Sequence, residues 1–535
     1  MDQIQGKLLA VYVLATVLAG IAAWVLSRRY RQTIVRLMRA PQGLPAARTD
    51  AVATAVGVAQ ATAELPSWLA PTVPTLQAWR RAEWRLIGLL AGLSLAMATT
   101  RGALVQVLWV DGPWSWPRWA LFTAIFAWPI LPAVAALQRW SRPRFIAALL
   151  AWFAAAFVLA MLRSEQGQQA RTVLLWLALE IGPPALAFVL LTLKPTRAAA
   201  PWLWPPLALL AFAALLGIEA LVWVVTHRLA WLALLPDWIE PWWLFAAFAL
   251  AAVALAWWPV MRFARWLAGA YARRRVSDLM IVFTAAWAFN LGWDALSSGP
   301  LVLLPLAWIP LALAWLRQRA PATAAPVPTL LVLRVFKRDA HVAALFDDVV
   351  ERWRTVGNTV LIAGTDLVDH TLDAADLFDF LDGRLAARFV QRAADVPQRL
   401  AAFEWQADAE GRHRVNECYC HDHGWQVALA ALVQRADLVL MDLRGFQAHN
   451  AGCRFELGVL ARASHLTRVA VLTDDHTDLA IARADAAGAP PGRFAWIDLG
   501  TSAPSRRRLA QRVRAALAGA TRRAARVARL SERPS

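Results

Sequence analysis

The chain has 535 residues, of which 59% are apolar and 17% charged, and its 55 Lys and Arg against 37 Asp and Glu give a formal net charge of +18. Globular proteins carry about 45–50% apolar and about 25% charged residues, so this balance excludes a disordered or fibrous chain and points to a membrane protein with room for a second domain. The charge is not one surface: residues before 320 carry +15, residues 321–505 carry −6 and residues 506–535 carry +9, which argues against a nucleic-acid partner for the later domain.

In chain order, nine apolar runs have the length that a bilayer core of about 30 Å requires of a helix. They are Leu8–Leu26, Trp84–Thr100, Trp119–Leu137, Phe145–Leu162, Thr172–Leu193, Trp202–Val225, Trp242–Val260, Leu279–Leu296 and Pro300–Leu316, the eighth interrupted by Asn290 and Asp294. Basic residues test the count. Alternate loops hold Arg28 to Arg81, then Arg139, Arg142 and Arg144, then Lys194 and Arg197, then Arg262 to Arg275, then Arg317 and Arg319. The complementary segments hold only Lys7, Arg101, Arg118, Arg163, Arg171 and Arg228. By the positive-inside rule this predicts an all-α polytopic bundle over residues 1–319 in a bacterial-type inner membrane, with the amino terminus outside and the carboxyl domain in the cytoplasm. The first run has its charge after it and no small-residue cleavage site, so it reads as a retained anchor and not as a signal peptide.

Ala-Pro-rich residues 320–328 read as a linker. Beyond it, strands are expected at Leu330–Phe336, Thr359–Ala363, Leu438–Asp442, Val469–Thr473 and Phe494–Ile497. Helices are expected at His341–Thr355, Ala374–Ala387, Trp425–Arg435 and Gly452–Ala463, with a less regular stretch before Trp425. Short apolar strands separated by helices predict a three-layer α/β domain over 329–505, with a flavodoxin-like parallel sheet. Residues 506–535 are expected to form a basic helix and tail, because Leu509, Val513, Leu517, Ala520, Ala524 and Val527 recur at spacings of three and four. Such a helix either lies on anionic lipid or closes the soluble domain with a solvated basic face.

The most informative segment is the strand ending at Asp442, followed by Asn450-Ala-Gly-Cys-Arg-Phe-Glu-Leu457. Open parallel sheets bind ligands at the carboxyl ends of their strands, and a helix starting near Gly452 puts Glu456 in its first turn beside that crevice. A carboxylate there is also favoured by the helix dipole alone.

The run from Trp425 through Ala428, Leu432 and Ala436–Leu440 to Asn450, Cys453, Glu456 and Leu457 resembles the third-helix region of TIR domains, although Gly452 stands where that motif carries Trp. Gly452, Glu456, Leu457 and Gly458 are also similar to the pattern of nucleoside deoxyribosyltransferase-like proteins. The resemblance spans roughly residues 328–500 and none of the apolar part. It implies that Glu456 engages the ribose of NAD or a related nucleotide whose N-glycosidic bond is cleaved, where a carboxylate can stabilise oxocarbenium charge. On that reading Asp442 and Asn450 position ribose hydroxyls and Asp366 lines the same crevice.

Cys418-Tyr-Cys-His-Asp-His423, with His413 nearby, holds four zinc-type donors in six residues: Cys418, Cys420, His421 and His423. It reads either as a metal site or as a polar strand-to-helix loop near the crevice. Within the bundle, Glu180 and Glu219 fall roughly 12 Å and 9 Å from the outer face at 1.5 Å per residue. They are expected to share a proton or cation, to pair with Arg171, His227 or Arg228, or to snorkel outward. Three functions follow: a membrane-anchored NAD-binding sensor or effector, a homo-oligomerising assembly module without catalysis, and a nucleotide-gated transporter or channel. No cofactor is fixed by these readings: NAD is expected as a substrate, and zinc only if Cys418, Cys420, His421 and His423 form a metal site. The partners they imply are the bilayer, a nucleotide-like small molecule and further copies of the chain.

Overall fold

The computed structural model describes residues 3–39, 73–163, 169–191, 199–227, 241–298, 300–319, 327–334, 346–363, 374–390, 393–420, 425–500 and 506–518. They form two compact units that interleave along the chain. One comprises Met1–Tyr30, Leu89–Trp315 and Asp373–Phe378, and the other Arg31–Gly88, Leu316–Leu372 and Asp379–Ser535. The described residues of 31–88 fall with the α/β unit and those of 373–378 with the helical unit.

Among the described residues, eight helical segments of the chain are long and apolar enough to cross a membrane: Ala10–Met38, Leu76–Leu108, Trp116–Leu137, Arg142–Leu162, Ala170–Leu191, Ala200–His227, Trp242–Ala272 and Leu301–Gln318. The expected run Leu279–Leu296 is helical within Asp278–Ser298, but its apolar part is the shorter Asp278–Ala288. Trp119–Leu137 is two helices, Trp116–Phe126 and Ile130–Leu137, with Pro129 at the break, where it has no N–H to continue the first ladder. Leu255, Leu162 and Val107 are exposed by 81%, 77% and 70%, a surface suited to hydrocarbon and not to water. Helices Ala200–His227 and Pro241–Ala272 pack backbone to backbone at Gly217, where a Cβ would stand 2.3 Å from the Phe248 carbonyl oxygen. Small residues permit this approach in membrane helices.

The α/β unit is built on a parallel sheet of seven strands: β1 Thr329–Arg334, β2 Asn358–Ala363, β3 Phe389–Val390, β4 Val415–Cys420, β5 Leu438–Asp442, β6 Arg468–Thr473 and β7 Phe494–Asp498. Their order is β3-β4-β2-β1-β5-β6-β7. β1 is the pivot, with Leu330 opposite Thr359 of β2 on one side and Leu438 of β5 on the other. All five residues of β5 are buried, as a central parallel strand covered on both faces requires. Two strands escape the apolar pattern, β3 because it has two residues and β4 because its sequence is Val-Asn-Glu-Cys-Tyr-Cys. The helix expected from Ala374 stops at Leu381, and Gly383 follows with φ +72°. Gly357 turns the chain into β2 where a Cβ would lie 2.4 Å from the Pro328 carbonyl oxygen.

The carboxyl-terminal helix is described over Arg506–Leu517. Leu509, Val513 and Leu517 are buried, and Arg468 donates to the Ala516 and Ala518 carbonyls at 3.1 and 3.2 Å. This part of the helix closes the α/β unit, and the residues expected to continue it, 519–535, lie outside the described ones.

The same unit holds the first turns of helix Leu76–Leu108, capped by Thr75, whose Oγ1 accepts from Ala78 N at 3.2 Å. Trp79 is fully buried edge-on to Trp353, its Nε1 donates to the Arg352 carbonyl at 2.9 Å, and the Arg514 guanidinium lies 4.5 Å from its ring centre. One turn on, Glu83 accepts from Arg352 at 3.3 Å and Arg514 at 2.9 Å.

Candidate functional site

Strand order reverses between β1 and β5, because the chain moves outward from β1 to β2 and the edge strand β3, fills the gap between them with β4, and then crosses to the other side of β1. The carboxyl ends of β1 and β5 therefore flank the switch point where doubly wound sheets bind ligands. β5 delivers Asp442 there, and the following helix, Ala451–Arg462, returns Glu456.

The two acids differ. Asp442 is buried and committed: its Oδ1 accepts from Arg444 Nε at 2.8 Å and from Arg444 N at 3.2 Å, and its Oδ2 accepts from Arg444 Nη2 at 2.6 Å. A carboxylate so engaged positions the Leu443–Gly445 turn. Arg444, two residues beyond the end of the strand, is the partner that holds the carboxylate. Gly445, at φ +71°, donates to Asp474 at 2.8 Å at the end of β6, which locks the two neighbouring loops together.

Glu456 is the sixth residue of its helix, and the first turn holds no acid. The helix begins at Ala451, one residue earlier than expected, so Glu456 is a second-turn side chain and the dipole does not account for it. It lies three residues after Cys453 and four before Leu460, both buried. Its Oε2 is closed off from solvent and has no hydrogen-bond partner among the described residues. Burial pushes its carboxyl pKa up to about 8, so the group is protonated at neutral pH. The Cys453 thiol is pushed up to about 12, first by burial and then by the Glu456 charge, and is not a nucleophile. Trp425 packs on this segment, its ring 3.7 Å from where a Cβ of Gly452 would be and edge-on to Phe455 at 5.6 Å.

Asn450 takes the N-cap position but does not cap with its side chain; its Oδ1 accepts from Gln447 N at 2.7 Å. Its Oδ1 thereby holds the loop that leads into the helix. Asp366, His421 and His423 lie outside the described residues.

Cys418 and Cys420 are on β4, buried in the core, with Sγ atoms 3.7 Å apart. Cys418–Cys420 of the expected loop or metal segment is therefore strand, whose period of two puts both thiols on one face. Their hydrogen bond lowers the Cys418 pKa and raises that of Cys420. His413 precedes β4 at the amino edge of the sheet, with Nδ1 3.0 Å from Asn358 Oδ1, and burial brings its pKa down to about 4. It does not join the cysteines. Among the described residues no group of three or more His, Cys, Asp or Glu side chains is arranged to hold a metal ion.

Within the helical unit, the two acids are paired separately and not with the residues expected. Glu180 is buried, accepting from Arg101 Nη1 at 2.5 Å, from Arg101 Nη2 at 3.0 Å and from Asn290 Nδ2 at 3.2 Å. Arg101 is itself buried inside helix Leu76–Leu108, 3.9 Å from the Phe126 ring centre, and is not the loop charge that its place in the sequence suggested. Glu219 pairs with Lys7 at 2.6 Å, and both side chains are 39% exposed.

No family model, no curated protein and no solved structure matches the chain.

Proposed function

We propose that the protein is a membrane-anchored sensor or effector whose α/β unit binds NAD or a related nucleotide at the carboxyl edge of its sheet and cleaves the N-glycosidic bond at Glu456. The observation that carries this reading is the desolvated, unpartnered Oε2 of Glu456 on the helix that follows the switch-point strand β5. A buried polar atom without a partner costs about 1–3 kcal/mol, a cost that a ligand hydroxyl or cation offsets. The order β2-β1-β5-β6-β7 within the sheet is that of flavodoxin-like folds, which supports the TIR-like comparison at the level of topology only.

The protonation state sets the mechanism. In the unliganded site the Glu456 carboxyl is neutral and can donate to a ribose hydroxyl. A pyridinium ring on C1′ carries positive charge, and its approach favours the ionised carboxylate, so binding releases a proton. The C1′–N bond then breaks with its electron pair passing to the nicotinamide nitrogen. The carboxylate stabilises the oxocarbenium charge, and water adds to C1′ and gives its proton to Glu456.

The alternating basic loops support a bundle of nine spans in an inner membrane, with this unit in the cytoplasm. Calorimetry on the full chain in lipid nanodiscs tests the site: NAD binding with proton release, measured in buffers of different ionisation heat, is expected for the wild type. Binding without proton release, or no binding, overturns the role given to Glu456.

A further inference from the structure

Among the described residues of the helical unit, the buried charged side chains are Arg101 and Glu180. Three helices meet there: Leu76–Leu108 brings Arg101, Ala170–Leu191 brings Glu180 and Asp278–Ser298 brings Asn290. The third has the shortest apolar stretch of the three, yet its Phe283, Trp287 and Leu291 are fully buried, so its polar residue serves the interior of the unit. Ionisable groups inside an apolar bundle are costly and mark the places where such bundles handle ions or polar solutes.

Asn290 is only half engaged. Its Nδ2 donates to Glu180 Oε1 at 3.2 Å, while its Oδ1, on a residue 2% exposed, has no partner among the described residues. An ionised carboxylate accepts from an amide but has no hydrogen to give it, whereas a protonated one donates. The open Oδ1 beside Glu180 is therefore the acceptor that the neutral acid requires. Pro184 adds another, because it has no N–H and the Glu180 carbonyl loses its helical donor. On the Arg101 side, Thr123 Oγ1 stands 3.2 Å from where a Cβ of Gly102 would be. That hydroxyl, the Gln106 amide one turn beyond Gly102, and Trp287 Nε1 one turn before Asn290 are buried without partners among the described residues.

We propose that this cluster is a binding site for a small carboxylate anion, taken up together with one proton. Arg101 already holds a carboxylate, that of Glu180, so its planar fork is shaped for the head group. Two carboxylates beside one guanidinium leave a negative charge without compensation in the interior. A proton from the aqueous phase removes the conflict: it binds the Glu180 carboxylate, the neutral acid turns from Arg101 to Asn290 Oδ1, and the incoming anion closes on Arg101. One anion and one proton enter, and the charge of the site is unchanged. Ile130–Leu137, Arg142–Leu162, Ala200–His227 and Pro300–Ala307, which pack on the helices of Glu180 and Asn290, bury no titratable group among their described residues. Glu180 is thus the proton carrier and Arg101 the charge that faces it. The site stands apart from Glu456 and gives the bundle a role beyond anchoring.

Acetate is the probe, on the full chain in lipid nanodiscs. Calorimetry in buffers of different ionisation heat is expected to show one proton taken up per acetate bound, with affinity falling about tenfold for each unit rise in pH. Infrared difference spectra are expected to gain the band of a protonated carboxyl when acetate binds. E180Q is expected to bind acetate without that band or that pH dependence, because its amide stands in for the neutral acid. N290L leaves the ion pair in place but removes the acceptor, and at least about tenfold weaker binding is expected. R101M/E180L, which serves where E180Q fails to fold, keeps neither charge and is expected not to bind. No acetate binding by the wild type, binding without proton uptake, an affinity unaltered in N290L, or binding undiminished in R101M/E180L overturns the proposal.

Discussion

Arg101 and Glu180 meet fork to fork in the interior of the helical unit, with contacts of 2.5 and 3.0 Å between residues 79 positions apart. Both are nearly inaccessible, at 1% and 5% of side-chain surface. Removing one member of a buried pair leaves the other charge without compensation and costs about 3–5 kcal/mol, while replacing both by apolar groups costs far less. R101M and E180L are each expected to lower the thermal midpoint of the full chain in detergent, and the double variant R101M/E180L to recover most of the loss. Additive losses would mean that the pair does not act as one unit.

Gly217 makes a different kind of contact. A Cβ there would overlap the Phe248 carbonyl oxygen, so G217V must push two helices apart and forfeit their close packing. An expected loss of about 1–3 kcal/mol, seen as a lower midpoint, contrasts with little change for G20V, whose Cβ meets open space. Equal effects at both positions would contradict the close crossing.

In the α/β unit, Glu83 receives two arginines and Trp79 is enclosed by Trp353 and Arg514. W79A removes a fully buried indole, for which about 3–5 kcal/mol is expected. E83Q keeps the shape and loses the charge, so a smaller loss is expected, with increased proteolysis near Arg506–Leu517. A carboxyl-terminal helix as resistant in E83Q as in the wild type would show that the ion pairs do not hold it.

Stability should also depend on pH with a definite sign. The Glu456 pKa is raised in the folded chain, so its stabilising contribution is complete below the unfolded value of 4.5 and is lost as pH rises towards about 8. The His413 pKa is depressed to about 4, which costs stability as pH falls below its unfolded value of 6.5. The two slopes oppose one another below 6.5, and between 6.5 and 8 only Glu456 acts of the two. Unfolding midpoints are expected to decline across that upper window in the wild type and to flatten in E456Q. An identical decline in E456Q would show that Glu456 is not the protonated group.

β1, β2, β5, β6 and β7 are legible because central parallel strands are continuous apolar runs, and the helix Trp425–Arg435 has its expected limits because its apolar face is regular. β4 is not legible, since its polar residues are engaged in ways that its composition does not disclose: Asn416 by the Glu404 backbone and Glu417 through Oε2 by Tyr419 on the same strand. Glu456 stands out by its place after a strand and a polar loop. The commitment of Asp442 to Arg444 and of Asn450 to Gln447 does not, because a carboxylate or amide near a crevice has the same sequence whether it is free or engaged. The partners of Glu180 are equally hidden, for they come from helices 79 and 110 residues away.

The central claim is that the Glu456 carboxyl acts on a glycosidic bond, and nicotinamide release from NAD by the full chain in lipid nanodiscs tests it most directly. The wild type is expected to release nicotinamide, and E456Q, which keeps the side chain's size but cannot ionise, to do so at least about 100-fold more slowly while remaining folded. No release by the wild type, or release by E456Q at the wild-type rate, would contradict it.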